Sequence, residues 1–178
     1  MLRSNFAFHR YFGYSYSMKT LIFIPVLLFS LILGVPSYSA DFNKGLTAAQ
    51  NGDFATALKE WKPLAEEGNA NAQHNLGLMY QKGEGVPQDY KEAVRLYKLA
   101  AEQGNANAQT NLGLMYVQGK GVIQDYVYAH MWWNIATANG NDDAKSNKKR
   151  VEGMMNSSDI SEAQRLAREC VKKNYKGC

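Results

Sequence analysis

The chain has 178 residues, with 20 basic and 16 acidic side chains, three histidines and two cysteines. Its formal charge of +4 is concentrated at the start, because Arg3, Arg10 and Lys19 all precede the first acid, Asp41, and the remainder is close to neutral. That remainder lacks the basic footprint of a nucleic-acid binder and is long enough for one domain with a continuous core.

The first element in chain order is an apolar run, Leu21 to Val35, preceded by Lys19 and followed by the small-residue stretch Pro36-Ser-Tyr-Ser-Ala40. A basic start, an apolar stretch and a small-residue exit predict a secretory signal peptide over residues 1–40. The run is shorter than the roughly 20 apolar residues that span a bilayer, and Pro25 interrupts it, so no stable membrane insertion is expected after cleavage. A cut after Ser39 places small Ser37 two residues upstream of it; a cut after Ala40 places bulky Tyr38 there. Both remain open, with a mature start at Ala40 or Asp41. No cysteine follows the run, which argues against a lipid anchor. Met18 to Ala40 is a complete leader by itself, and translation is expected to begin at Met18. The expected destination is periplasmic or secreted. Cys170 and Cys178 then meet an oxidising compartment and are expected to form one disulfide, the competing reading being free or intermolecular thiols.

From Asp41 onward the chain repeats itself. Residues 68–80 read GNANAQHNLGLMY and residues 104–116 read GNANAQTNLGLMY, differing only at His74 and Thr110. Asp53, Asp89 and Asp125 keep the same 36-residue interval, each followed by an aromatic, as do Ala57, Ala93 and Ala129, then Trp61, Tyr97 and Trp133, then Gly68, Gly104 and Gly140. Each block offers an Asp to cap a helix start and a Gly to end it; Asp89 with Glu92 has capping-box spacing. A first helix precedes it, as at Asn71 to Gln81, where Ala72, Leu76 and Tyr80 share one face. Gly77 and Gly113 lie inside these helices, at a cost of about 1 kcal/mol against alanine, which close approach of a neighbour explains. The connectors Gly83–Gln88 and Gly119–Gln124 follow no strand and lack phosphate-loop spacing. A fixed period of this length predicts an all-α solenoid of stacked helix pairs. The predicted units are 41–68, 69–104, 105–140 and a C-terminal cap, 141–178, with a last helix from Ser161 to about Val171. The repeated aromatics are expected between successive helices.

The order Leu-Gly-x-x-Tyr, Gly-x-Gly-Val, Asp-Tyr-x-x-Ala, an aromatic, then Ala-Ala-x-x-Gly resembles the Sel-one-like repeat (SLR), a relative of the tetratricopeptide repeat. The match is close over residues 69–104 and 105–140; residues 41–68 resemble the shorter tetratricopeptide form. Past Asn141 it weakens, and Lys149 stands where Gly77 and Gly113 stood. The resemblance implies an α/α superhelical adaptor whose first helices line a concave face holding a protein or peptide partner. On the residues themselves, Asn71, His74, Leu78 and Gln81 share a face distinct from the core face, with Asn107, Thr110, Leu114 and Val117 as equivalents. Leu78, Leu114 and Val117 read equally as core. Asn71 and Asn107 are suited to hydrogen-bonding a peptide backbone without reading its sequence.

The alternative class is an enzyme. Exported cysteine-containing relatives are linked by resemblance to beta-lactam binding or hydrolysis, and Ser146-Asn-Lys-Lys149 matches S-x-x-K. Its companion motifs are absent, and Lys145, Lys148 and Lys149 read as a solvated face. No metal-site spacing accompanies His74 or His130, and His130 is expected to pack near the surface. No catalysis, cofactor or metal is expected. Lys172, Lys173 and Lys176 read as solvated charge.

Overall fold

A computed structural model describes residues 39–178; the predicted leader up to Tyr38 lies outside the described residues. Eight helices and no strand occupy them: α1 (Phe42–Gln50), α2 (Phe54–Glu66), α3 (Ala70–Lys82), α4 (Tyr90–Ala101), α5 (Ala106–Gln118), α6 (Tyr126–Ala138), α7 (Asp142–Glu152) and α8 (Ser157–Lys172). Every helix starts on a short polar side chain that accepts a backbone N–H of the first turn. Asp53, Asp89 and Asp125 cap α2, α4 and α6, whereas Asn69, Asn105 and Asn141 cap α3, α5 and α7. Such a cap contributes about 1 kcal/mol by satisfying donors that the helix itself leaves unpaired.

Burial of apolar faces sets the stacking. α1 packs on α2, α3 on α4 and α5 on α6, and each second helix also packs on the first helix of the next unit, α2 on α3, α4 on α5 and α6 on α7. The buried residues form a sequence of clusters along the stack: Ala57, Trp61, Leu76 and Met79 toward its start, then Tyr97, Leu112, Met115, Trp132 and Ile135, and finally Trp133, Ala136, Ala144 and Val151. This is the all-α repeat architecture that the 36-residue period predicts.

Glycine permits the closest of these contacts. A Cβ at Gly77 would lie 2.7 Å from Tyr97 Cε1, and one at Gly113 would lie 2.5 Å from Trp133 Nε1. The neighbour that requires glycine is thus the aromatic of the same unit's second helix. Gly45 meets Trp61 in the same way. In the second connector, Gly121 has φ +72°, and a side chain there would overlap the Tyr90 carbonyl oxygen, so the connector lies directly on the preceding unit.

The C-terminal segment departs from expectation. Its last helix begins at Ser157, one turn before Ser161, because Asn156 accepts the Asp159 N–H at 2.9 Å and caps it. It does not pair with α7 as a second helix would, but packs against α6, with Ala167 and Cys170 buried in the central cluster. Cys170 and Cys178 are disulfide-bonded, with Cα atoms 5.6 Å apart. The closed loop places the Tyr175 ring over Gly104 and its hydroxyl 3.3 Å from Asn139 Oδ1, and Gly177 N donates to Glu102.

Candidate binding face

The outward face of the first helices is the candidate site, and its eight predicted residues fare differently. Asn71 and Asn107 are exposed, but their Oδ1 atoms accept from Asn105 Nδ2 and Asn141 Nδ2, both at 2.9 Å. Their donors are the caps of the following first helices. These asparagines therefore link successive units through their side-chain oxygens.

Thr110 does not lie on an open face. It is buried, its Oγ1 donates to Ala106 O at 2.8 Å, and its carbonyl accepts from Trp133 Nε1 at 2.9 Å. A threonine hydroxyl that bonds the helix carbonyl one turn back is satisfied locally, which lets it take a place that spacing alone assigned to the surface. His74 is half-buried. Its Nδ1 faces Asn75 Oδ1 and its Nε2 faces Asn111 Nδ2, each at 3.1 Å, and its ring lies 5.9 Å from that of Tyr97. With these amides so oriented, the proton sits on Nδ1 and Nε2 accepts. Burial holds the imidazole pKa below its ordinary value, partly opposed by the Asn75 hydrogen bond, so His74 is neutral at neutral pH.

Gln81 is also engaged, accepting from the Tyr97 hydroxyl through Oε1. Burial pushes the Tyr97 pKa up, so that hydroxyl remains a donor. Gln81 thus ties α3 to α4 through Tyr97, and His74 ties α3 to α5 through Asn111, so polar side chains bridge this part of the face.

The grooves on either side are open. Between α1 and α3, Ala49, Asn75, Leu78, Met79 and Lys82 surround a 290 Å³ cavity over Trp61. Between α5 and α7, Leu114, Val117, Asn147, Arg150, Val151 and Met154 surround a smaller one of 70 Å³ over Trp133. In repeat register the two correspond: Asn75 with Asn147, Met79 with Val151, Trp61 with Trp133. Leu78, Leu114 and Val117 are half-buried in these notches, so they contribute to core and surface together.

Two buried glutamines were missed by pattern reading. Gln73 Nε2 donates to Ala65 O at 3.0 Å and its Oε1 accepts from Gln103; Gln109 donates to Ala101 O at 3.1 Å and accepts from Asn139. Each sits in the repeated NAQ beside an apolar stripe, and that exact recurrence of a polar side chain was the available signal. His130, expected near the surface, is 1% exposed, with Nε2 2.9 Å from Glu152 Oε1 on α7. Ser146 and Lys149 are both exposed on α7 and share no hydrogen bond among the described residues. No group of three or more metal-ligating side chains occurs among the described residues, and none of their helices is long and apolar enough to cross a membrane.

Comparison with known proteins places this geometry. The Sel1 repeat pattern matches residues 70–105 and 106–141. No curated protein matches the sequence. Among solved structures, a protective antigen present in uropathogenic Escherichia coli strains and displaying an SLR fold is 28% identical, with a TM-score of 0.70 over 75% of this chain and 30% of its own. A Sel1 repeat protein from Oxalobacter formigenes is 30% identical, with a TM-score of 0.61 over 72% of this chain and 55% of its own. The chain therefore spans under a third and about half of these two proteins. Two matched repeats, set in a helix stack shared with solved SLR structures, make this chain a Sel1-repeat (SLR) protein.

Proposed function

We propose that this is an exported, non-enzymatic adaptor that binds an extended protein or peptide segment along its first helices, with apolar side chains of the partner seated in the two notches. The observation that carries the reading is the pair of equivalent openings over Trp61 and Trp133, on either side of the His74–Asn111 link between α3 and α5. Membership of a repeat family that forms protein-interaction scaffolds supports it, and the disulfide favours a periplasmic or secreted setting. Two helix-to-helix intervals separate the notches, on the order of 20 Å at about 8–10 Å each. An extended chain covers that with roughly six residues at about 3.3 Å apiece. The partner is therefore expected to present two apolar anchors about six residues apart.

The test is site-specific photocrosslinking in the envelope fraction. A crosslinker at Leu78 or Leu114 should trap the same partner, and one at exposed Lys98 on α4 should not. Equal capture from all three positions, or capture from Lys98 alone, places the interface elsewhere.

A further inference from the structure

Glu60 is a carboxylate where the repeat has none. Its equivalents, Leu96 and Trp132, are apolar and buried, and Glu60 itself is 0% exposed. A buried carboxylate is costly unless it is matched by charge and hydrogen bonds. Its Oε2 accepts the backbone N–H of Asp41 at 2.9 Å, and its Oε1 lies 2.6 Å from Lys44 Nζ. The hydrogen bond and charge of Glu60 raise the Lys44 pKa, as expected beside an ionised partner.

The helix that begins beside Glu60 is also abbreviated. α1 has 9 residues where α3 and α5 have 13, and in repeat register the missing turn is its first. Asp41 caps the shortened helix, its Oδ1 accepting from Asn43 N at 2.8 Å and Lys44 N at 3.2 Å, which fixes the position of its own main-chain nitrogen. One turn is absent at the place where the leader is expected to end, and a buried carboxylate is aimed at the nitrogen that such a cut would free.

We propose that the Ala40–Asp41 peptide bond is the processing site and that Glu60 is the receptor for the mature N-terminal ammonium. Hydrolysis by a signal peptidase adds one water, whose oxygen completes a carboxylate on Ala40 and whose two protons make the Asp41 nitrogen an ammonium. Before the cut, the Asp41 nitrogen offers Glu60 one neutral N–H. Afterwards it is a cation with three donors, one already directed at Oε2. A positive charge at a helix start opposes the helix dipole, and Glu60 with the Asp41 side chain supplies the compensating negative charge. Of the two bonds that the sequence leaves open, only this one puts the new charge at the hydrogen-bonded atom; a cut after Ser39 puts it one residue outward.

The test begins with the full chain, exported by a bacterial host, and the mass-spectrometric identity of its first residue, expected to be Asp41. The α-amine of that product is then labelled with an acylating reagent near neutral pH, beside its Glu60→Gln variant and a protein starting at Ala40 with Glu60 intact. Labelling of the Asp41 amine should be about tenfold slower than in either comparison, as holding roughly ten times less free amine at the same pH requires. If Glu60→Gln does not fold, the Ala40-start protein carries the comparison alone. A first residue at Ala40 or earlier, or an Asp41 amine that labels as fast as the comparison proteins, overturns the proposal.

Discussion

At the scale of single residues, identity is decided by what presses on each position, and glycine and histidine give opposite examples. A Cβ at Gly113 would overlap the Trp133 ring, whose Nε1 is held by the Thr110 carbonyl. Gly113→Ala gains about 1 kcal/mol of helix propensity but overpacks at about 1–3 kcal/mol, so a net loss of up to about 2 kcal/mol is expected in denaturant melts. A more stable variant would show that Trp133 can yield. His74 is held neutral by burial among Asn75, Asn111 and Tyr97, with its folded pKa below its unfolded value near 6.5. A depressed histidine pKa means that the unfolded chain binds the proton more readily. The contribution of His74 is therefore present above about pH 6.5 and is lost as pH falls through the folded pKa. His74→Gln removes that titration, and the melting temperature of the variant should decline less between pH 7 and 5 than that of the parent; parallel declines would remove His74 from the acid response.

At the scale of elements, the sequence carried most of the stack because stacking repeats its demands. Asp53, Asp89 and Asp125 mark three helix starts, and Gly77 and Gly113 mark two close approaches, all at one interval. The C-terminal segment lacked that redundancy. Lys149 stands where glycine admits an aromatic of the second helix, and no such helix comes: α8 packs on α6 instead. The substitution was visible, but the place where α8 would bind was not, since that depends on the face offered by Met131, Trp132 and Ile135. The candidate face was less legible than the fold, because spacing cannot foresee that Thr110 bonds its own helix or that Asn71 meets Asn105. What holds α8 down can be tested. Its chain end is closed by Cys170–Cys178, and Asn174 and Tyr175 adopt left-handed backbone, φ 50° and 65°, unfavourable for non-glycine residues unless contacts hold them. Opening a loop of this size is expected to cost about 2 to 3 kcal/mol on a chain-entropy account. Unfolding with and without reductant reads it, and hydrogen exchange should rise first at Lys173–Cys178. Identical midpoints would mean that the bridge contributes nothing to the docked helix.

At the scale of the whole molecule, each helix pair packs on its neighbours and the C-terminal segment reaches back to Glu102 and Gly104, so stability is carried through the shared clusters while binding depends on the face left over. Leu112 and Leu114 separate the two roles within one helix. Leu112 is 0% exposed among residues of α4, α6 and α8, and Leu112→Ala should cost about 2–5 kcal/mol through a cavity that three other helices border. Leu114 is half-buried at the edge of the notch over Trp133, as Leu78 is in the notch over Trp61. Leu78→Ser and Leu114→Ser should each cost about 1 kcal/mol, roughly half the value of a fully buried leucine, so each variant should remain folded at 25 °C. If the notches seat two anchors of one partner, each serine variant weakens capture, and the double variant loses the gain that linking two contacts provides. Melting curves and partner capture on the same proteins decide the matter. A double variant that stays folded and captures as well as the parent removes the notches from the interface, whereas one that loses capture while melting within about 2 kcal/mol of the parent assigns these leucines to recognition and leaves Leu112 to the core.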